Sequence, residues 1–475
     1  MQEQELQQEV PPPVPPELSE EALAKETAEG PPIFAPSKEA KYPYGVVYKG
    51  PYETEYDGVS IAVRRGACAI RRTGVPVFLQ SENHMFAKDG IVRRVIYSDL
   101  PTSVIQEVDH ISELQHRETV LTVRHVVPTK NKLESILYPK EICSESKEFR
   151  EFFRKSLILY SAWETQTVEK ETVYMLNLFG RLWVPCSDNK RWLESSGVPG
   201  EKIDVMPHPL AFRDPMRTTE RSQLPRPFRI LNVSKWEPRK AQHDIIGGFL
   251  IAFEPNEDVQ LIMKANPFAK FDGYPESPAA SVKMWLEDPR VVGNGWTEEN
   301  IIPRIEIMWP LKGDGTTDAV THQSRKLVFS RKQMALVYCQ CDCYISAGRC
   351  EGFDLPAFDA KVMGLRLIAP AFGGPRDFLS DTDVQLGPDP EPELLVHIPH
   401  PWYMASPETR WVAHNAMDIA FAMRTAFRMK DSEQEKFPIQ DYSIDAVGKR
   451  MRASLNGLAA ELGFDLAAIN VDTTT

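Results

Sequence analysis

Short apolar runs alternate with longer amphipathic stretches along most of this chain. The β-rich runs GVVYKGPY (45–52), VPVFLQ (75–80), TVLTVRHVVP (119–128), RLWVPCS (181–187) and KIDVMPH (202–208) come first, with an apolar helix predicted over 59–72. These runs are apolar almost throughout, as strands of a parallel sheet covered on both faces must be. Strands ending near Asp109 and His125 would present loops on one edge. Three prolines then break the periodicity across 213–227, which reads as an interdomain linker. Beyond it the alternation resumes with strands at 228–234, 259–265, 342–346 and 365–370, and helices at 243–253, 332–339 and from Pro356. Helical patterns over 407–428 and 444–462 finish the chain. Two runs of strand and helix joined by a Pro-rich hinge describe two doubly wound, Rossmann-like α/β domains facing each other across a cleft.

The expected divisions are an N-terminal domain over 41–225, a C-terminal domain over 226–440, and a final helix and tail over 441–475 that packs back on the first domain. Residues 1–40 are rich in Pro, Glu and Gln, with too little apolar surface to offset ordering entropy, so they read as a disordered tail. They lack the basic start and apolar core of a secretory signal. No later run reaches the ~18 apolar residues of a membrane span, and the expected location is the cytoplasm.

A formal net charge of -12 argues against broad affinity for nucleic acid, which rests on Lys and Arg neutralising phosphates. Arg64, Arg65, Arg71, Arg72, Lys88, Arg93 and Arg94 nevertheless crowd one region. They form either a solvated face or a patch for an anionic acceptor or a peripheral membrane contact. Seven cysteines scattered over a long chain do not resemble a disulfide framework. Cys339, Cys341, Cys343 and Cys350 lie close together but contain no CxxC pair, and small thiols commonly fill a buried strand, so no metal site is expected there.

The most informative stretch runs from Ile345 to Asp381. It places Glu351 in a Gly-flanked loop directly after a strand, Pro356 at a first helical turn and Asp359 in the opening of that helix. In open α/β sheets, ligands bind where loops leave the carboxyl ends of strands, so both carboxylates are expected to face one crevice. Sugar and ribose hydroxyls donate well to such groups. Phosphates need cations, and Lys235 and Lys240 flank a turn after the first strand of the same domain; the amides around Gly373 and Gly374 are further candidate donors.

Glu351 and Asp359, separated by seven residues within E-G-F-x-L-P, a helix and a Gly-Gly loop, resemble the signature of the family 4-type retaining glycosyltransferases of GT-B architecture. Lys235 and Lys240 fall where that family carries the Arg and Lys gripping the donor diphosphate. AWETQTV (162–168) and the stretch 182–210 are similar to the family's link between acceptor and donor domains. The chain departs from the pattern at Asp359, which replaces a Glu, at Lys235, which replaces an Arg, and at Ser234 and Ala241, which replace glycines. A polar insertion near 312–325 is also unusual.

The resemblance implies transfer of a sugar from a nucleotide-diphosphate sugar to an acceptor hydroxyl with retention, without a metal or other cofactor. Glu351 would position the donor sugar or its phosphate, Asp359 the ribose, Lys235 and Lys240 the diphosphate. His125 matches a strand end from which the family often reaches the donor sugar, with Arg124 as its substitute. Closure about the hinge would exclude water. Each residue keeps a plain alternative: His125 as a satisfied structural group, Asp359 as charge at a helix amino end, the lysines as solvated loop cations, Glu164 as a solvated carboxylate and Trp163 as packing. A phosphorylase or nucleotide-sugar epimerase on the same fold, and an inactive scaffold working through its Pro-rich tail, are the competing functions. The acceptor, whether lipid-linked, glycan, small molecule or nucleic acid, stays open.

Overall fold

A computed structural model describes residues 46–51, 58–75, 77–81, 121–210, 214–219, 226–267, 271, 273–309, 329–387, 395–397, 410–412, 414–464 and 466. The expected N-terminal tail, Asp109, Lys88, Arg93, Arg94, the insertion at 312–325 and part of the 213–227 linker lie outside them.

The first sheet consists of β1 (Val46–Gly50), β2 (Val77–Ser81), β3 (Leu121–His125), β4 (Leu157–Tyr160), β5 (Arg181–Val184) and β6 (Ile203–Val205). Its order is β2-β1-β3-β4-β5-β6 and every pair is parallel. The second contains β7 (Phe228–Trp236), β8 (Val259–Pro267), β9 (Ile305–Met308), β10 (Cys343–Ile345), β11 (Arg366–Ala369) and β12 (Val384–Gln385), in the order β9-β8-β7-β10-β11-β12, again all parallel. In each sheet the chain works outward from one strand and returns to that strand's other side. The resulting switch points, between β1 and β3 and between β7 and β10, are where open α/β sheets hold ligands.

Alternate residues of each strand feed different cores, as the two-residue period of a sheet demands. Ile230, Met263, Cys343, Ile345 and Ile368 face one side of the second sheet, while Leu231, Ile262, Tyr344 and Leu367 face the other. Six helices matter to the site: α1 (Gly58–Arg71), α2 (Gln242–Ala252), α3 (Arg331–Tyr338), α4 (Leu355–Val362), α5 (Ala416–Arg428) and α6 (Ile444–Glu461). The last returns to the first sheet. Val447, Met451, Leu455 and Leu458 join the core formed by Val63, Ile70, Val123 and Trp183, and the Trp183 indole N–H donates to Ser454 at 2.8 Å. Each such buried aliphatic side chain contributes about 1.5–3 kcal/mol relative to exposure.

Five strands among the described residues escaped the sequence reading: β4, β9, the two-residue β12, and an antiparallel pair, Leu395–His397 with Arg410–Val412, whose second member lies inside the helix expected over 407–428. LILY of β4 is buried at all four positions between an amphipathic helix and a polar loop, too short for any period to show. β9 is another four-residue strand. The clustered cysteines do not share one strand: Cys339 follows α3, and only Cys343 belongs to β10. They are divided among three cores, Cys339 and Cys341 in one, Cys343 in a second and Cys350 in a third. No helix among the described residues is long and apolar enough to cross a membrane.

Candidate functional site

The switch point of the second sheet brings two loops together. After β7 the chain makes a single 3₁₀ turn over Pro238–Lys240, and Ala241 adopts the left-handed region at φ 50 before α2 begins. A residue with a Cβ is strained there, and strain of this kind is maintained where surrounding structure demands it. After β10, residues 346–354 form the acidic loop, which ends where Asp354, also left-handed at φ 66, caps α4 by accepting from the Ala357 N–H at 3.4 Å.

Between these loops the Lys240 ammonium lies 2.5 Å from Glu351 Oε1. Arg239 takes the other oxygen, Oε2, at 3.1 Å and donates to the Cys350 carbonyl at 2.7 Å. Burial pushes the Glu351 carboxyl upward, but Arg239 and then Lys240 outweigh it, and the group is held below its ordinary pKa. Glu351 is therefore an anion at neutral pH despite being 4% exposed. Nearby Asp354 behaves in the opposite way: burial, reinforced by the Glu351 charge, pushes it up to about 6. A small pocket, with a cavity volume of about 10 Å³, is lined by Asn232, Ser234, Lys240, Ser346, Glu351 and Asp354 among others.

The second carboxylate of the sequence pattern does not face this pocket freely. Asp359, in the second turn of α4, is bound through both oxygens by Arg331 of α3, with the longer contact at 2.6 Å. Arg331 also holds Asp214 at 3.1 Å, and Asp214 pairs with Arg65 of α1. The expectation that both carboxylates are aimed at one crevice is corrected accordingly. A seven-residue spacing on a loop and helix fixes where the two backbones lie, but Arg331, distant in sequence, decides where the second carboxylate points. Arg331 takes one lone pair on each Asp359 oxygen, so a ribose hydroxyl would have to donate to one of those that remain.

The Gly373 and Gly374 amides, expected as donors to a ligand, bind protein instead. Gly373 N–H donates to Asp188 at 2.7 Å and Gly374 N–H to the Glu351 carbonyl at 2.9 Å. Gly373 is required by close approach, since at φ 71 an added Cβ would lie 2.2 Å from the Glu351 carbonyl oxygen. The pair thus shapes the acidic loop from behind. Lys235 is exposed near the carboxyl end of β7, close enough for its charge to act on Glu237.

His125, at the end of β3, is 4% exposed and shares a hydrogen bond of 2.9 Å through Nδ1 with the Tyr48 hydroxyl. Burial, with His208 adding to it, lowers its pKa well below 6.5 and keeps it neutral. Its ring lies 4.1 Å from that of Tyr160 and 5.9 Å from that of His208, and His208 meets Phe353 of the acidic loop at 4.8 Å. The Tyr160 hydroxyl donates to the Met206 carbonyl at 2.6 Å, so its 3.0 Å contact with His208 has Nδ1–H as donor. A stack of rings therefore links His125 to the loop carrying Glu351.

Of the expected residues, the fold joins Lys240 and Glu351 directly, brings His125 toward them through aromatic rings, sets Gly373 and Gly374 behind the loop, and ties Asp359 to Arg331. Arg239, Arg331 and Asp214 were not singled out from the sequence. Arg239 stands in P-R-K beside a lysine that already accounted for the turn's charge, while Arg331 and Asp214 carry no local motif. Among the described residues no group of three or more His, Cys, Asp or Glu side chains is placed to hold a metal ion.

No family model matches the chain, and no curated protein matches it either. Solved structures do. A lipopolysaccharide outer core galactosyltransferase, WaaB, is similar over 86% of this chain and 99% of its own, with a TM-score of 0.52 at 11% identity. HepE of Anabaena, in complex with UDP and glucose, covers 87% of this chain and 99% of its own at a TM-score of 0.50 and 10% identity. The pneumococcal O-GlcNAc transferase GtfA, in complex with UDP and GlcNAc, covers 87% and 99% at a TM-score of 0.51 and 9% identity. With two six-stranded parallel sheets, these similarities define a two-domain α/β fold of the GT-B type.

Proposed function

We propose that the protein is a glycosyltransferase, moving a sugar from a nucleotide-diphosphate sugar to an acceptor hydroxyl with retention of anomeric configuration and without a metal ion. The observation that carries this reading is the meeting of Lys240 and Glu351, 2.5 Å apart, in loops leaving the carboxyl ends of the two strands at the switch point. Similar structures with UDP bound beside glucose or GlcNAc support a nucleotide sugar as the ligand of such a fold. The sequence resemblance supports retention.

In the reaction the bond between the anomeric carbon and the diphosphate breaks as the acceptor oxygen bonds to the same face of that carbon. The acceptor proton passes to the departing phosphate. Lys240 neutralises charge developing on that phosphate, and Glu351, ionised and immobilised, accepts hydrogen bonds from the sugar. Lysine supplies the compensation a divalent cation would otherwise provide, which supports the metal-free reading.

A thermal-shift series with UDP, GDP and ADP tests the proposal, because a ligand stabilises a protein according to its affinity. One of these diphosphates should raise the melting temperature in EDTA, and Lys240→Ala should remove the shift. Stabilisation that needs Mg²⁺ would contradict the metal-free part; none by any diphosphate would contradict the whole. The Arg331 lock on Asp359 favours one second reading, a nucleotide-binding protein without turnover. Nucleoside diphosphate release from labelled nucleotide sugars in the presence of acceptors separates the two.

A further inference from the structure

Arg239 is the most connected side chain of the site, and neither the sequence pattern nor the reaction above requires it. Its guanidinium is buried, with 6% of the side chain exposed against 15% for Lys240. Three carboxylates converge on it: Glu351 at 3.1 Å, Glu237 at 3.0 Å and Glu164 at 3.1 Å. The backbones are joined here too, since the Arg349 N–H donates to the Arg239 carbonyl at 2.8 Å and Arg239 Nη1 donates to the Cys350 carbonyl. Glu164 belongs to the first domain, in the loop following β4, whereas the other partners belong to the second. Close packing accompanies that contact, because a Cβ on Gly352 of the acidic loop would lie 2.6 Å from the Ala162 methyl.

The division of Glu351 between two cations has a consequence for an arriving diphosphate. Lys240 is the more exposed partner and can turn to a phosphate. If it were the only partner, its departure would strip a buried carboxylate of compensation, at a cost that opposes binding. Arg239 stays on Oε2 and removes most of that cost.

We propose that Arg239 is a positioning residue: it retains Glu351 and, through Glu164, ties the acidic loop to the first domain, so that Lys240 is released to a diphosphate when the domains are closed. The inference rests on the glycosyltransferase reading and adds a dependence of donor binding on a residue of the opposite domain. A guanidinium suits the task because its planar fork serves several acceptors at once, which an ammonium on a flexible stem does not.

The test is isothermal calorimetry on the full chain with UDP, GDP and ADP, using whichever binds best. Arg239→Met should weaken binding about tenfold with Lys240 still present, and Glu164→Gln about threefold. Glu164→Gln should add nothing on the Arg239→Met background, since the contact it removes is already gone. Arg239→Lys should recover part of the tenfold loss, which a role in stability alone does not predict. Should Arg239→Met fail to fold, the same cycle with Arg239→Lys decides the matter. Arg239→Met binding within about twofold of wild type, or losses that multiply in the double variant, would overturn the positioning role while leaving the glycosyltransferase reading intact. Wild-type protein that binds no diphosphate would overturn both.

Discussion

Glu351 and Asp359 are eight positions apart on one loop and helix, both almost fully buried, and the protein treats them oppositely. Glu351 is shared between Arg239 and a lysine that lines a pocket, so one of its partners is exchangeable. Asp359 is gripped through both oxygens by an arginine that also binds Asp214, in a chain of charges running to Arg65 in the first domain. The outcome shows in their ionisation. Glu351 is held below its ordinary pKa, whereas burial raises Asp359 and Arg331 only partly offsets it. Equal spacing in sequence thus yields one carboxylate arranged for a ligand and one committed to joining the domains.

The comparison breaks most readily at Arg331. Arg331→Met leaves Asp359 without its partner and Asp214 with only Arg65 in this chain of charges, and truncating one member of a buried ionic network costs about 3–5 kcal/mol. Urea denaturation at pH 7 should show a loss of that size; a loss under about 1 kcal/mol, as for a surface pair, would mean the contact is not a lock. Substituting the carboxylates themselves gives a smaller but more specific effect. Glu351→Gln should lower the turnover number for sugar transfer about 10²-fold through misplacement of the donor sugar, with diphosphate binding retained because Lys240 is released. Asp359→Asn should leave diphosphate affinity within about threefold. Binding weakened more than about tenfold by Asp359→Asn, at unchanged fold, would restore the ribose contact and end the distinction.

How much of this was legible follows from the range of the interactions. β7 and β8 stand out because their apolar-rich runs at 228–234 and 259–265 are flanked by turn residues and have few alternatives, and Glu351 and Lys240 stand out because each lies just past a strand end. Residues 348–354 can be placed in a loop from glycine and proline alone. Arg331 gives no such sign: it lies 117 positions from Asp214 and 28 from Asp359, in an otherwise ordinary helix start capped by Ser330. Arg239 was hidden differently, since its chemistry depends on Glu164 from the other domain. The seven-residue pattern was therefore a sound guide to backbone placement and a poor one to side-chain partners, which are set by tertiary contacts that local sequence does not encode.

Asp354 lies between the two carboxylates on the chain and permits the finest test of their difference, because its own pKa reports the negative field of an ionised Glu351. Burial first and Glu351 second push it up to about 6, from an ordinary 3.8. Between these values the folded protein holds a proton that the unfolded chain has released, so stability falls as pH rises through the window. Asn is a good substitute, since it also caps helices, tolerates the left-handed backbone, and keeps one oxygen to accept from the Ala357 N–H while its amide N–H donates to the Ser346 hydroxyl oxygen, which donates to the other carboxylate oxygen in the wild type. Asp354→Asn should consequently match wild type near pH 4 and exceed it at pH 7.5 by on the order of 2 kcal/mol in urea denaturation. In a Glu351→Gln background the same substitution should gain less, because the neighbouring charge is gone. An unchanged gain there would mean that Asp354 senses burial alone, and that the ionised state assigned to Glu351, on which its contrast with Asp359 depends, leaves no electrostatic trace on a carboxyl three residues along the chain.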